Sequence, residues 1–189
     1  AYGGAQALFD VQPDIATYGK VMGGGLPVGA ITGRADLMEV FTGLGAQNGV
    51  FSGGTFSGNP LTMEAGAAAL TYLRDHPQIY TRLAALGDKL ADEVNAHCRD
   101  SGIPAQMKHV TSMFHMFFQR EPVNSSRDVS GRYQRAQQAF YLHCLNRGVL
   151  VPGTQRAFLS AAHEERHIDQ LIDVFNSSLS DVMAEGLFA

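Results

Sequence analysis

The chain has 189 residues, 45 % apolar and 17 % charged, with a formal net charge of −4. That balance fits an ordinary globular chain and argues against disorder. With no basic stripe and no tryptophan, nothing points to a nucleic-acid surface. No apolar run approaches the roughly 20 residues that a bilayer span requires. The start, Ala1-Tyr2-Gly3-Gly4, lacks the charged and apolar regions of a signal peptide.

Residues 1–58 are rich in glycine and read as short strands and turns. Ala30 to Gly33 reads as the end of a strand. Arg34 to Phe41 reads as a short helix with Leu37, Met38 and Phe41 on one face, followed by a loop from Gly43 to Gly54. Asn59-Pro60 is a strong helix start: Asn59 can cap, and Pro60 suits the first helical position. That helix is expected to run to about Asp75 and stop before Pro77. Its alanines, Ala65, Ala67, Ala68 and Ala69, favour close packing against another element.

Ile79, Leu83, Leu86, Leu90 and Val94 then recur at helical spacing, and Gly102-Ile103-Pro104 ends that helix. Val110 to Gln119 reads as one strand whose nearly continuous apolar run suggests cover on both faces. Glu121 to Gly131 is polar and expected to be a mobile loop. A helix from Arg132 to Arg147, closed by Gly148, precedes two strands, Val149–Val151 and Ala157–Ala161. The last helix carries Ile168, Leu171, Ile172, Phe175, Leu179 and Val182 on one face.

The two cysteines, Cys98 and Cys144, fall in helical segments without a CxxC partner and read as reduced, partly buried thiols of a cytosolic protein. His163-Glu164-Glu165-Arg166-His167 satisfies the HExxH zinc pattern. It falls at a helix start directly after a strand, where acidic residues suit the macrodipole. No third ligand stands at a customary spacing, so zinc is not expected. The other histidines (His76, His97, His109, His115, His143) show no ligand spacing, and the Phe114 to Phe118 run reads as sheet core.

The richest stretch is Asp14-Ile15-Ala16-Thr17-Tyr18-Gly19-Lys20-Val21-Met22-Gly23-Gly24-Gly25-Leu26-Pro27-Val28-Gly29-Ala30. A single lysine stands between an apolar segment and three glycines, which let a backbone turn sharply and approach a ligand closely. From residue types alone Lys20 is either a solvated charge or an amine aimed at an aldehyde. The whole string resembles the cofactor-lysine segment of class III (ω-type) aminotransferases, with the strongest likeness to the glutamate-1-semialdehyde aminomutase branch. In that family the lysine forms the internal aldimine with pyridoxal 5′-phosphate, which implies Lys20 here.

Gly53-Gly54-Thr55-Phe56-Ser57-Gly58-Asn59-Pro60 is similar to a second motif of the same family, Gly-Thr-x-Ser-Gly-Asn-Pro. There the threonine binds the cofactor phosphate of the neighbouring subunit, which implies Thr55, with the Gly54 backbone, as phosphate ligands of a homodimer. Without that likeness Thr55 would read as a turn hydroxyl. A hydroxyl and N–H groups beside a fresh helix start make a sensible anion site. A weaker match covers Val151-Pro152, Phe158 to His163 and Ile168-Asp169.

The resemblance implies an α/β fold, the C-terminal portion of a fold-type-I transferase. Residues 1–58 would end the large cofactor domain, 59–78 would be a linking helix, and 79–189 would form the small C-terminal domain. It implies a cytoplasmic enzyme that transfers an amino group between small amino and oxo acids, with no nucleic-acid or membrane partner. The family's aspartate partner of the pyridine nitrogen lies upstream of Ala1-Tyr2-Gly3-Gly4-Ala5-Gln6; Asp10 and Asp14 lie too near Lys20 to replace it. With its first residue Ala1, the chain is therefore expected to be somewhat under half of a family member: a fragment, the ordered part of a longer protein, or half of a split enzyme. Pro152-Gly153-Thr154-Gln155-Arg156 lacks the glutamate of the aminomutase Pro-Ser-x-x-Glu pattern. That leaves an aminotransferase at least as well supported as an aminomutase. Arg156 is either a bidentate ligand of a substrate carboxylate or a surface arginine.

Overall fold

A computed structural model describes residues 1–41, 49–152 and 156–189. The chain forms two compact units, Ala1–Gln78 and Ile79–Ala189.

The first unit opens with a short helix that the sequence did not signal, α1 (Gly4–Phe9), which ends at Asp10 in the left-handed region (φ 52°). Strand β1 (Ile15–Tyr18) pairs antiparallel with β2 (Ala30–Gly33), from Ile15 opposite Gly33 to Tyr18 opposite Ala30. The expected helix after β2 is α2 (Ala35–Met38), continued as a tighter turn through Phe41. The loop expected from Gly43 lies outside the described residues as far as Asn48.

Helix α3 (Pro60–Asp75) starts as its sequence requires. The Asn59 carboxamide oxygen accepts from Leu61 N and Thr62 N, and Pro60 takes the first helical position. Its face of Thr62, Ala65, Gly66 and Ala69 turns inward, whereas Ala67 and Ala68 are exposed. Among the described residues of this unit the buried ones are Gly23, Thr62 and Gly66.

The second unit holds the apolar core. Helix α4 (Gln78–Asp100) buries Leu86, Leu90, Ala91, Val94 and Cys98. The single strand expected over Val110 to Gln119 is instead the second arm of a hairpin, in which β3 (Gln106–Val110) pairs with β4 (Met113–Phe117). Thr111, at φ 52°, makes the two-residue turn that the apolar run concealed. Strand β5 (Ala157–Phe158), shorter than expected, pairs with β4, giving the order β3-β4-β5. Cover is one-sided: Phe114 and Met116 are buried, while Met113, His115 and Phe117 are only half-buried.

Helices α5 (Gln134–Asn146) and α6 (Glu165–Ala184) contribute Phe140, Ile168, Phe175 and Leu179 to the same core, all fully buried. Each is worth about 1.5–3 kcal/mol of transfer free energy. The Phe140 and Phe175 rings meet edge to face at 5.0 Å.

No strand forms over Val149–Val151. The residues that read as strand are used to close α5: Gly148 sits at φ 80°, its N–H bonds Leu145 O at 2.9 Å, and Val149 N bonds Cys144 O at 2.9 Å. Val149 packs against the core while Leu150 is exposed.

The polar segment Glu121 to Gly131 is also not a free loop. Gln119 is buried (2 % exposed) and ties it down, donating to Glu121 O and Asp128 O and accepting from Ser130 N at 3.0, 2.8 and 2.7 Å. Within the segment Ser125 and Asp128 form a reciprocal cap. Among the described residues no helix is long and apolar enough to cross a membrane.

Candidate functional site

Lys20 follows β1 and an extended Gly19, and it opens a 3₁₀ turn, Lys20–Gly23, that ends at a left-handed Gly24. Its own φ is 56°, a region that side chains other than glycine rarely occupy. The lysine side chain is exposed and makes no hydrogen bond or ion pair with any described residue. Two residues earlier, Tyr18 is fixed by the β1–β2 ladder and donates its hydroxyl proton to Gln6 Oε1.

The glycines after Lys20 serve a helix as well as a turn. A Cβ on Gly24 would lie 2.7 Å from Ala65 O and 3.3 Å from Ala69 Cβ; one on Gly66 would lie 3.0 Å from Met22 O. The turn and α3 thus meet backbone to backbone. The alanine-rich stretch signalled close packing, but nothing in it named the turn as the partner.

Gly54 and Thr55 lead into the turn before α3. Gly54 O accepts from Ser57 N at 2.9 Å and Phe56 O accepts from Asn59 N at 3.2 Å. The Gly54 and Thr55 N–H groups and the Thr55 hydroxyl bond no described residue, and both residues are exposed. The first N–H groups of α3 are less available than the sequence suggested, because Asn59 takes those of Leu61 and Thr62. The open donors therefore belong to the turn rather than the helix. Lys20 and Thr55 are not hydrogen-bonded to each other. Neither lines the cavity of about 560 Å³ in this unit, whose wall includes Tyr18, Ile31, Phe41 and Ser57.

The HExxH residues do not share a helix face. Helix α6 begins at Glu165, leaving His163 outside it. His163 Nδ1 accepts from Ser160 N, and His167 Nδ1 accepts from Glu164 N, each at 3.0 Å. Among the described residues no group of three side chains could hold a metal ion. Cys98 and Cys144 are free, buried thiols, and burial pushes both up to about 11. Arg156 is exposed, unpaired among the described residues, and borders an open cleft of about 740 Å³ with Lys108, Phe117 and Phe158. The Gly153 to Gln155 part of its segment lies outside the described residues.

The sequence pattern of the family described as aminotransferase class-III matches residues 3–179. Glutamate-1-semialdehyde 2,1-aminomutase 1 of Lachnoclostridium phytofermentans is 41 % identical over 181 residues, which cover 95 % of this chain and 42 % of that protein. The glutamate-1-semialdehyde 2,1-aminomutase of Methanoculleus marisnigri is 39 % identical over 94 % of this chain and 41 % of its own length. Among solved structures, an omega-transaminase from Sphaerobacter thermophilus superposes with a TM-score of 0.83 at 32 % identity, over 96 % of this chain and 42 % of that one. A β-phenylalanine aminotransferase from Variovorax paradoxus gives 0.87 at 30 % identity, over 97 % and 42 %. The α/β fold is thus shared with part of these transaminases, and the chain spans about 42 % of the length of the relatives it matches.

Proposed function

This chain belongs to the class-III aminotransferase family, and from that premise we propose that it serves pyridoxal-phosphate-dependent amino-group transfer, with Lys20 as the cofactor lysine. The observation that carries the reading is the Lys20 amine itself: exposed, without a partner among the described residues, and carried on a backbone position in the left-handed region. Amines without a competing ion pair are the ones free to react with an aldehyde.

The residues present fit the group. Lys20 Nζ would hold its aldehyde carbon, and the open donors of Gly54 and Thr55 would grip its phosphate. Pyridoxal phosphate supplies an electron sink when bound. The protein's part would be to position and to move protons: with such a group bound, Lys20 Nζ would be the amine that carries the proton to and from the substrate carbon. Because the family likeness assigns the threonine to a neighbouring subunit, a homodimer belongs to the same proposal. So do a small amino or oxo acid substrate and a cytoplasmic location, the last in keeping with two free buried thiols.

A second reading, glutamate-1-semialdehyde 2,1-aminomutase proper, is favoured by the relatives of that name at 38–41 % identity. Product analysis separates the two, since an aminomutase needs no external amino acceptor. The shared reading is tested with pyridoxal phosphate added to the full-length protein. A visible absorbance band that borohydride abolishes, with the label mapped by mass spectrometry to Lys20, is expected. A Lys20→Ala protein that keeps the band refutes the assignment.

A further inference from the structure

Lys20 is held from both sides. Upstream, Tyr18 is locked opposite Ala30 in the strand pair. Downstream, the peptides of Met22 to Gly24 lie against α3 with no side chain between, as the distances from Gly66 to Met22 O and from Gly24 to Ala65 O require. A left-handed lysine persists only where its surroundings determine the backbone on either side. Glycine inside a helix is unfavourable relative to alanine, so Gly66 at the middle of α3 needs a reason of its own. The carbonyl of Met22, pressed against it, is that reason.

We infer that Gly66, together with Gly24, is a positioning residue for Lys20: the bare backbone of α3 seats the turn and so fixes the direction in which the lysine amine projects. The inference rests on the reading of Lys20 given above. Gly66 touches no reacting atom. A side chain there would displace Met22 O, slightly for alanine and further for leucine, and so turn Lys20, two residues before Met22, leaving the phosphate donors at Gly54 and Thr55 in place.

The test compares the full-length protein with Gly66→Ala, Gly66→Leu and a control, Ala68→Leu, on the exposed face of the same helix. Three quantities are read: the melting temperature, retention of pyridoxal phosphate by equilibrium dialysis, and the rate at which borohydride fixes the cofactor to Lys20, by peptide mass mapping. Gly66→Leu is expected to slow fixation at Lys20 about tenfold at saturating cofactor, less than the roughly hundredfold cost of misplacement by about 1 Å. Gly66→Ala should fall between it and the parent, and Ala68→Leu should match the parent. If Gly66→Leu does not fold, Gly66→Ala decides, because it asks only a small shift of Met22 O. A folded Gly66 variant that fixes the cofactor at the parent's rate overturns the inference, as does an equal loss in Ala68→Leu. If the parent itself acquires no label at Lys20, the functional reading falls and takes the inference with it.

Discussion

Asn95 clasps the backbone of Met107. Its carboxamide oxygen accepts from Met107 N at 2.8 Å and its nitrogen donates to Met107 O at 3.0 Å. Met107 lies on β3, at one edge of the sheet, so a side chain of α4 occupies a peptide that would otherwise face outward unpaired. Replacing Asn95 by alanine should reduce the unfolding free energy by about 1–3 kcal/mol in a urea titration, because the N–H and the carbonyl of buried Met107 both lose their partner. Asn95→Asp, which retains the acceptor, should lose less. Equal stability of Asn95→Ala and the parent would show that the clasp contributes nothing.

Gln119 organises the segment after β4 from inside the protein. Gln119→Leu keeps the bulk but leaves Asp128 O and Ser130 N without their partner, while Glu121 O keeps the bond that Gln106 Nε2 donates to it at 2.8 Å. Amide exchange over residues 121–131 should rise well above that of the parent, with a stability loss of about 1–3 kcal/mol.

The same segment has a pH dependence of definite sign. The Asn124 and Ser125 N–H groups hold the Asp128 carboxyl below its usual range. Its capping contribution is therefore present above the ordinary aspartate pKa and lost as the pH falls through the lowered value. Exchange at Asn124 and Ser125 should increase in acid, and Asp128→Asn should remove that dependence.

Gly87→Ala and Gly148→Ala separate two roles of glycine. In an open helix the first change would stabilise. Here the new Cβ would stand 1.9 Å from Thr111 O, so α4 and the hairpin turn must part. A net loss of about 1–3 kcal/mol is expected from such overpacking. Gly148→Ala meets no atom within 4 Å but keeps φ at 80°, for about 1–2 kcal/mol of backbone strain. Thermal melts should place both below the parent; a gain in Gly87→Ala would refute the contact.

The buried thiols should resist alkylation at neutral pH and react only on unfolding. Burial raises both to about 11, so their protonated forms favour the folded state below the unfolded thiol value of 9.0, and that stabilisation is lost as the pH rises to about 11. Cys98→Ala with Cys144→Ala should flatten the alkaline limb of the stability curve.

What could be read in advance followed the range of the interaction. Asn59-Pro60 announces α3 because the cap and the proline act within one turn, and the stripes of α4 and α6 announce their buried faces. Thr111 hid a hairpin inside an apolar run, since its turn is set by the register of Met107 with Met116 across the sheet. Val149 has the composition of a strand and the job of a cap. Gln119 looked like the end of a strand, and its three bonds reach residues up to eleven positions away. For the proposed site, Lys20, Gly54 and Thr55 are assigned through motif likeness alone. The contact of Gly66 with Met22 joins segments more than forty residues apart, and no local pattern carries it.

The apolar cluster is drawn from residues of the second unit, beginning at Leu83. A calorimeter sees the melting of packed apolar interior, at about 0.7 kcal/mol per residue near 60 °C. The endotherm of these 189 residues should therefore be that of Ile79–Ala189 alone, roughly 80 kcal/mol on the same scale. Substitutions around Lys20 and Gly66 would leave its midpoint almost unmoved, so a clean, sharp melt is no certificate that the lysine turn is formed.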